Sequence, residues 1–239
     1  MVTLNPAPDG PRADDGRRGS VTGVGVDAEA FLLAAHSAQA LIADPAVARA
    51  WEKPSSLVGF SVGGLAAHLG GQVLMVAAAI TADPPQVELM AALEHYARVK
   101  WVDADIDDEI NLAIRQVGED AASGGHAALL ARVEAALTTL EVDLPGVAPE
   151  RGLPTPAGAW ALPLPEALLT RMMEIAVHSD DLAVSVGRPT PTLPDAVIHP
   201  VLGLLAALAA RRHGQPAVLR ALTRAERTEG SITAFGPDR

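Results

Sequence analysis

The sequence predicts a mainly α protein built around a four-helix bundle, followed by a small C-terminal extension with helices and one strand. Apolar residues make up 49% of the 239 residues, but aromatic residues make up only 3%. A core of Ala, Leu and Val suits close-packed helices better than sheets, which favour β-branched and aromatic side chains. Long apolar runs at helical spacing, separated by Pro- and Gly-rich connections, point the same way.

The first 25 residues are rich in Gly, Pro, Arg and Asp, so residues 1–25 are predicted to form a disordered tail. A bundle domain is expected over residues 26–188 and a C-terminal extension over residues 189–239. Asp27 is the predicted N-cap of the first helix, which should end near Ala43. Its inner face should carry apolar residues at helical spacing, namely Phe31, Leu32, Ala35, Ala38 and Ile42.

The second helix is predicted to begin after Ser61 and to run to about Ile80. No charged residue lies between Lys53 and Asp83, so the segment is long and apolar enough to be compared with a membrane span. Polar side chains near its middle and the lack of Lys- and Arg-rich flanks favour a buried bundle helix. His68 lies two turns inside this helix, either as a core histidine with a satisfied ring or as a metal ligand.

The middle of the chain is predicted to be helical. Residues 87–102 form one helical run, in which His95 and Tyr96 are candidate pocket residues. Residues 105–120 form a short helix with an acidic start. The third long bundle helix follows Gly125, with apolar residues repeating at helical spacing, namely Leu129, Leu130, Val133, Leu137 and Leu140.

A Pro- and Gly-rich connection over residues 144–165 leads to the fourth long helix, and Trp160 is expected to anchor it. Pro165 should lie in the first turn of this helix, where a missing N–H does little harm, and Gly187 should end it. The C-terminal extension should contain a further apolar helix, a short helix and one strand over residues 231–235.

One face of the fourth helix carries four polar side chains, Arg171, Glu174, His178 and Asp181, within an arc of about 80°. Glu174 and His178 are one turn apart, with Cβ atoms roughly 5–6 Å from each other. This separation suits two ligands of one divalent metal ion. A solvated face of salt bridges explains the same pattern equally well.

Three residues are the candidate ligands of a metal site: His68, Glu174 and His178. In an antiparallel four-helix bundle, inward residues of facing helices converge. Three protein ligands with an open fourth position are typical of catalytic zinc sites, where the metal lowers the pKa of a bound water or thiol. Asp181 is a candidate acceptor for an imidazole N–H. Zinc, iron and nickel all remain open, because this ligand set accepts several divalent ions.

Charge and cysteine content exclude several classes of protein. The formal net charge is −11, which argues against a general nucleic-acid binder because such proteins need a basic surface. The chain has no cysteine, so disulfides, zinc–thiolate sites and a cysteine nucleophile are excluded. The N-terminus has no apolar core of a secretory signal. A cytoplasmic protein without membrane anchorage is expected.

Two segments, SVGGLAAHLGG (61–71) and RMMEIAVHSDDLAVSVG (171–187), resemble the signature regions of the mycothiol-dependent maleylpyruvate isomerase family, within the wider DinB-like bundle superfamily. The resemblance spans about residues 27–235, sparsely in the middle. It implies a DinB-like four-helix bundle whose metal ligands are His68, Glu174 and His178. It also implies a zinc-like ion and, as in the better-understood members, mycothiol as the thiol cofactor.

The resemblance implies an enzyme that uses a metal-bound low-molecular-weight thiol to isomerise, or transfer the thiol to, a small electrophilic substrate. Arg171 is a candidate for orienting a substrate carboxylate, although a salt bridge to Glu174 or Asp181 is an equally good interpretation. Arg220 and Arg224 are candidate cofactor-binding residues. A metal-water hydrolase and a non-catalytic metal-binding regulator remain the alternatives, and the protein is expected to be a monomer or homodimer.

Overall fold

The computed structural model describes residues 26–102, 104–156, 158–228 and 230–236. The predicted disordered tail, residues 1–25, lies outside the described residues. Most of the described chain is helical, as predicted. The α-helices are α1 (Ala28–Ile42), α2 (Pro45–Ala50), α3 (Val62–Thr81), α4 (Ala92–Arg98), α5 (Glu109–Ala122), α6 (His126–Asp143), α7 (Leu164–Ser185), α8 (Asp195–His213) and α9 (Gln215–Thr223).

The predicted N-caps of the first two long helices are confirmed. The backbone N–H of Ala30 donates to Asp27 Oδ1 over 2.9 Å at the start of α1. The backbone N–H of Gly64 donates to Ser61 Oγ over 2.8 Å at the start of α3. Each bond satisfies one of the N–H groups that a helix start leaves without an internal partner.

The four long helices α1, α3, α6 and α7 pack against one another and form the bundle, and α5 covers the start of α3. Leu, Ala and Val side chains fill most of the core between them. By length and composition alone α3 could cross a membrane, but 61% of its apolar window is buried inside the protein. Core helices of soluble proteins meet the same test, which agrees with the prediction of a buried bundle helix.

The connection before α7 contains a two-stranded antiparallel hairpin. Its strands are β1 (Gly152–Pro154) and β2 (Ala161–Pro163), with Leu153 opposite Leu162. Trp160 is half-buried beside β2, and its backbone carbonyl accepts from Thr155 Oγ over 3.0 Å. The hairpin brings the loop back across the ends of α3 and α7, where it forms one wall of the cavity described below.

The prediction of one helical run over residues 87–102 is wrong in its first part. Only Ala92–Arg98 form an α-helix, followed by a 3-10 turn at Lys100–Val102. Before it the chain is extended, because the Met90 N–H donates to the Ala161 carbonyl of β2 and the Ala161 N–H donates to the Glu88 carbonyl, both over 2.9 Å. Pairing with a distant strand overrides the local preference for helix.

The C-terminal extension differs from its prediction in one element. Helices α8 and α9 are present, but residues 231–235 form no strand with any part of the chain that is described. Their backbone makes isolated hydrogen bonds instead, and the Thr233 carbonyl lies 2.8 Å from His213 Nε2. Helix α8 packs on α1, α4 and α7, and a domain division at residue 188 stays a prediction.

Candidate metal centre

Two long helices bring the three predicted ligands together. α7 begins at Leu164 with Pro165 in its first turn, and Gly187, with φ of +65°, ends it. Because α7 is regular, the side chains of Glu174 and His178 lie one above the other on the face that meets α3. His68 approaches the pair from α3.

The ligand atoms of the three residues lie close to one another. His178 Nε2 is 3.2 Å from Glu174 Oε2, and His68 Nε2 is 3.9 Å from the same oxygen. The two imidazole rings stand nearly perpendicular, with centroids 4.7 Å apart and planes at 85°. The side chains are 21%, 12% and 15% exposed for His68, Glu174 and His178. The site is therefore sheltered but open to solvent.

The geometry fits a single divalent ion. One ligand atom from each of the three residues can be chosen so that all lie within 4.8 Å of one another. Tetrahedral ligands about 2.1 Å from a zinc ion are separated by roughly 3.4 Å. The observed separations need only small side-chain movements to reach that value, and two imidazoles with one carboxylate are a common ligand set for zinc. Metal ligation by these residues stays a prediction.

Asp181 takes the position expected of a residue that orients a metal ligand. Its Oδ2 lies 3.0 Å from His178 Nδ1, on the side of the ring opposite Glu174. Burial lowers the pKa of His178, but hydrogen bonds to Asp181 and Glu174 outweigh it and raise the pKa to about 9. The metal-free centre therefore holds a proton on His178, and a metal bound through Nε2 would release that proton.

Glu174 is charged in spite of its burial. Desolvation raises the pKa of its carboxyl, but hydrogen bonds to His178 and His68 and the charge of Arg171 outweigh it and hold the pKa well below its usual range. A buried carboxylate beside two imidazoles is ready to balance the charge of a cation.

Among the residues that the structure describes, Arg171 pairs with an amide rather than with a carboxylate. Its Nη1 donates to Gln72 Oε1 over 2.6 Å, and Gln72 Nε2 in turn donates to the His68 backbone carbonyl over 3.0 Å. Among the described residues no ion pair within 4 Å joins Arg171 to Glu174 or Asp181, so the predicted salt bridge is wrong. The buried Gln72 amide links the arginine on α7 to the histidine on α3 instead.

A cavity of about 40 Å³ lies further along α3 and α7, and His68, Glu174 and His178 are not among its lining residues. Arg171, one turn before Glu174 on α7, lies in its wall. His95 of α4 lines it as well, which confirms this residue as a pocket residue, whereas Tyr96 is not among the lining residues. Most of the remaining wall is apolar and is formed by Met75, Val76, Ala79, Leu153, Pro154, Pro156, Leu162 and Ala167.

The two C-terminal arginines lie elsewhere. Arg220 is exposed on α9, and Arg224 is exposed just after it and donates to the Thr223 carbonyl over 2.7 Å. Neither lines the cavity, so their predicted cofactor-binding role finds no support in the described contacts. His36 is also separate: it is exposed on α1 and lies 2.9 Å from Glu141.

One comparison with known proteins identifies the family. The family model described as the mycothiol maleylpyruvate isomerase N-terminal domain matches residues 31–183, which is well over half of the chain and includes all three residues of the centre. The chain belongs to this family. The match joins the DinB-like helical bundle of the structure to a metal-binding, mycothiol-related family. No curated protein and no solved structure matches the chain.

Sequence reasoning missed Gln72 as part of the site. The available signal was a buried amide on an apolar helix, one turn after His68, because such a group needs a partner. It also missed the contact between Trp160 and His95, whose positions are 65 residues apart in the chain. No local pattern predicts that pair.

Proposed function

We propose that this member of the mycothiol maleylpyruvate isomerase N-terminal domain family is an enzyme that uses a metal-bound low-molecular-weight thiol, with mycothiol as the thiol. The observation that carries the proposal is the convergence of the three candidate ligands, one turn along α7 from Arg171 in the wall of a cavity. The absence of cysteine from the chain is consistent with a borrowed thiol.

A zinc-like ion held by His68, Glu174 and His178 would lower the pKa of a bound thiol, so that thiolate forms at neutral pH. The chain itself supplies the surroundings. Asp181 holds the His178 ring in position through Nδ1, and the apolar wall keeps water away from the substrate. Arg171 offers a positive charge to an anionic group of the substrate. Its Nη1 donates to Gln72 and its Nε donates to Thr170 Oγ over 3.3 Å, which leaves the N–H groups of Nη2 for the substrate.

A thiolate that adds to one carbon of an electron-poor double bond breaks the π bond and leaves a carbanion on the other carbon, and two outcomes follow. If the adduct rotates about the former double bond and expels the thiolate, the result is cis–trans isomerisation. If the thiolate stays and the carbanion takes a proton from solvent, the result is addition of the thiol to the substrate. The substrate is therefore a small electrophile, and an acidic group on it would suit Arg171.

The test begins with elemental analysis of the purified protein, followed by thermal-shift measurements with mycothiol on the metal-loaded form. About one divalent ion per chain and a shift with mycothiol are expected. The double variant His68→Ala/His178→Ala should lose both. A matched control is His36→Ala/His199→Ala, because these histidines are exposed on helices and face carboxylates elsewhere.

Two results would contradict the proposal. If the variant His68→Ala/His178→Ala still binds one metal ion per chain, the assignment of the ligands is wrong. Turnover that persists in the complete absence of thiol would favour metal-water chemistry at the same centre.

A further inference from the structure

His95 occupies a place in the cavity wall that the proposed chemistry has not used. It lies on α4, its residue is only 3% exposed, and it lines the same cavity as Arg171. The ring is stacked edge-on between Tyr96 and Trp160, with centroids 5.0 and 5.9 Å away. The ring is therefore held in one orientation by Tyr96 on α4 and by Trp160 just before β2.

The hydrogen bond from Trp160 decides which nitrogen of His95 carries the proton. Trp160 Nε1 donates to His95 Nδ1 over 3.0 Å. An indole nitrogen can only donate, so Nδ1 must present its lone pair. The ring is then neutral and carries its proton on Nε2. Among the residues that the structure describes, no hydrogen bond uses Nε2.

The surroundings keep the ring neutral. Burial, with a smaller contribution from the charge of Arg171, lowers the pKa of His95 to about 4, while the charge of Glu174 acts in the opposite direction. Tyr96, the neighbouring titratable group, is buried and has its own pKa raised by burial. At neutral pH the ring offers one N–H donor and no acceptor beyond Nδ1, which Trp160 occupies.

The free polar groups of the cavity suit a ligand that accepts hydrogen bonds. Its two threonines already donate to backbone carbonyls, Thr155 to that of Trp160 and Thr170 to that of Ala167. The donors that remain are His95 Nε2 and the guanidinium of Arg171. A water needs roughly 10–15 Å³ of such space, so about 40 Å³ holds roughly three water-sized groups.

We propose that His95 is a specificity-determining residue of this site, which donates from Nε2 to an oxygen acceptor on a small ligand whose end group has three or four heavy atoms. The inference rests on the proposed function in one respect, since it takes this cavity as the substrate end of the metal centre. An ammonium is disfavoured, because Arg171 is itself a cation and neither His95 Nε2 nor the guanidinium can accept a hydrogen bond.

The first test observes the tautomer directly. Histidine labelled with ¹⁵N in the full-length protein, with the His95 signals assigned by their loss in His95→Gln, should show a neutral ring with a protonated Nε2 at pH 7. Trp160→Phe removes the bond to Nδ1 and should produce a mixture of tautomers. A ring protonated at Nδ1, or an unchanged tautomer in Trp160→Phe, would overturn the inference.

The second test uses three probes of similar size: acetate, acetone and ethylammonium. Acetate and acetone should shift the His95 ring signals saturably, and ethylammonium should not. His95→Leu should weaken acetone binding about five- to tenfold, the range expected for one lost hydrogen bond. His95→Gln should bind within about threefold of wild type, because its amide can accept from Trp160 and still donate into the cavity.

Two results would contradict this assignment of ligand class. Ethylammonium binding as tightly as acetone would show that the cavity does not select acceptors. Equal acetone affinities of the Leu and Gln variants, both folded by circular dichroism, would show that no donated hydrogen bond is involved. If His95→Leu does not fold, Trp160→Phe takes its place, and undiminished acetone binding by that variant would overturn the inference.

The measurements separate this inference from the proposed function. Each titration is made with zinc-loaded protein and after treatment with EDTA. The tautomer and the acetone response belong to the cavity and should survive metal removal. If zinc does not bind but the His95 results hold, the metal assignment fails alone. If zinc and mycothiol bind but the His95 ring signals do not respond to acetate or acetone, this inference fails alone.

Discussion

Asp181 contacts the candidate metal centre without being one of its three candidate ligands. Its carboxylate accepts from His178 Nδ1 and so directs Nε2 toward Glu174. Its backbone carbonyl separately accepts from Ser56 Oγ and Ser185 Oγ, over 2.7 and 2.6 Å. Because the backbone contacts do not need the carboxylate, the effect of the carboxylate on the metal can be measured by itself.

Asp181→Asn is expected to weaken zinc binding about 10- to 100-fold while leaving one site per chain, the usual effect of losing a partner that orients a metal-binding histidine. Competition with a chromophoric chelator measures the affinity. Asp180→Asn is the matched control, since Asp180 is the next residue on α7 but is exposed and accepts from Thr190 Oγ. Equal affinities of the two variants would rule out the orienting role of Asp181.

The buried neutral His95 also predicts how stability depends on pH. Its pKa is about 4 in the folded protein and about 6.5 in an unfolded chain. Between these values the unfolded state binds the extra proton, so the free energy of unfolding falls as the pH drops. The loss should be about 2 kcal/mol between pH 7 and pH 5, approaching about 3 kcal/mol at lower pH.

Urea unfolding of wild type and His95→Gln at pH 7 and pH 5 measures this contribution as a difference, so that other titrating groups cancel. His199→Gln is the control, because His199 is 65% exposed. A wild-type protein and a His95→Gln variant that lose equal stability between the two pH values would contradict the assignment.

At the scale of the element, the start of α3 is fastened by α5. Glu119 of α5 accepts from the backbone N–H and the hydroxyl of Ser61, over 2.7 and 2.8 Å. The carboxylate can come this close because residue 64 is glycine: a Cβ there would lie 2.1 Å from Glu119 Oε1. Gly64 is therefore needed because α5 packs closely against α3, and not because the backbone turns there. Gly71 differs, with nothing within 4 Å of such a Cβ.

Two alanine substitutions in the same helix are expected to act in opposite directions. Gly64→Ala should destabilise the protein by about 1–3 kcal/mol, because it displaces Glu119 from the helix start. Gly71→Ala should stabilise it by up to about 1 kcal/mol, the difference in helix propensity between the two residues. Urea midpoints at constant m-value measure both. Loss of stability in Gly71→Ala comparable to that in Gly64→Ala would contradict this account of α3.

The element scale also shows where sequence reasoning stops. Caps such as Asp27 and Ser61 are predictable because a cap acts on the residues two or three positions ahead. The extended course of residues 88–91 is not predictable, since this segment pairs with Ala161, about 70 residues later. For the same reason residues 231–235 look like a strand but have no partner strand among the described residues.

For the whole molecule, the residues of the candidate metal centre come from two helices of the bundle, so a metal bound there should stabilise the fold. Zinc at about 1,000 times its dissociation constant adds roughly 4 kcal/mol to the folded state. For a chain of this size, that corresponds to a rise in Tm of about 8–16 °C. EDTA should reverse the rise.

Differential scanning calorimetry of the metal-loaded and EDTA-treated protein measures this shift. His68→Ala/His178→Ala should have no zinc-dependent rise, whereas His36→Ala/His199→Ala should keep all of it. A zinc-dependent rise that the first variant retains would place the stabilising metal elsewhere.

The sequence by itself determined the mainly α class, the caps of α1 and α3 and the three residues of the candidate centre. These depend on helical periodicity and on residues within a turn of one another, or on a family pattern that matches residues 31–183. The tertiary structure decided the rest. Arg171 meets Gln72 across 99 residues, and Trp160 meets His95 across 65. Such contacts depend on how helices pack and where a loop returns, which no local spacing encodes, and they determine which hydrogen-bond donors face the cavity.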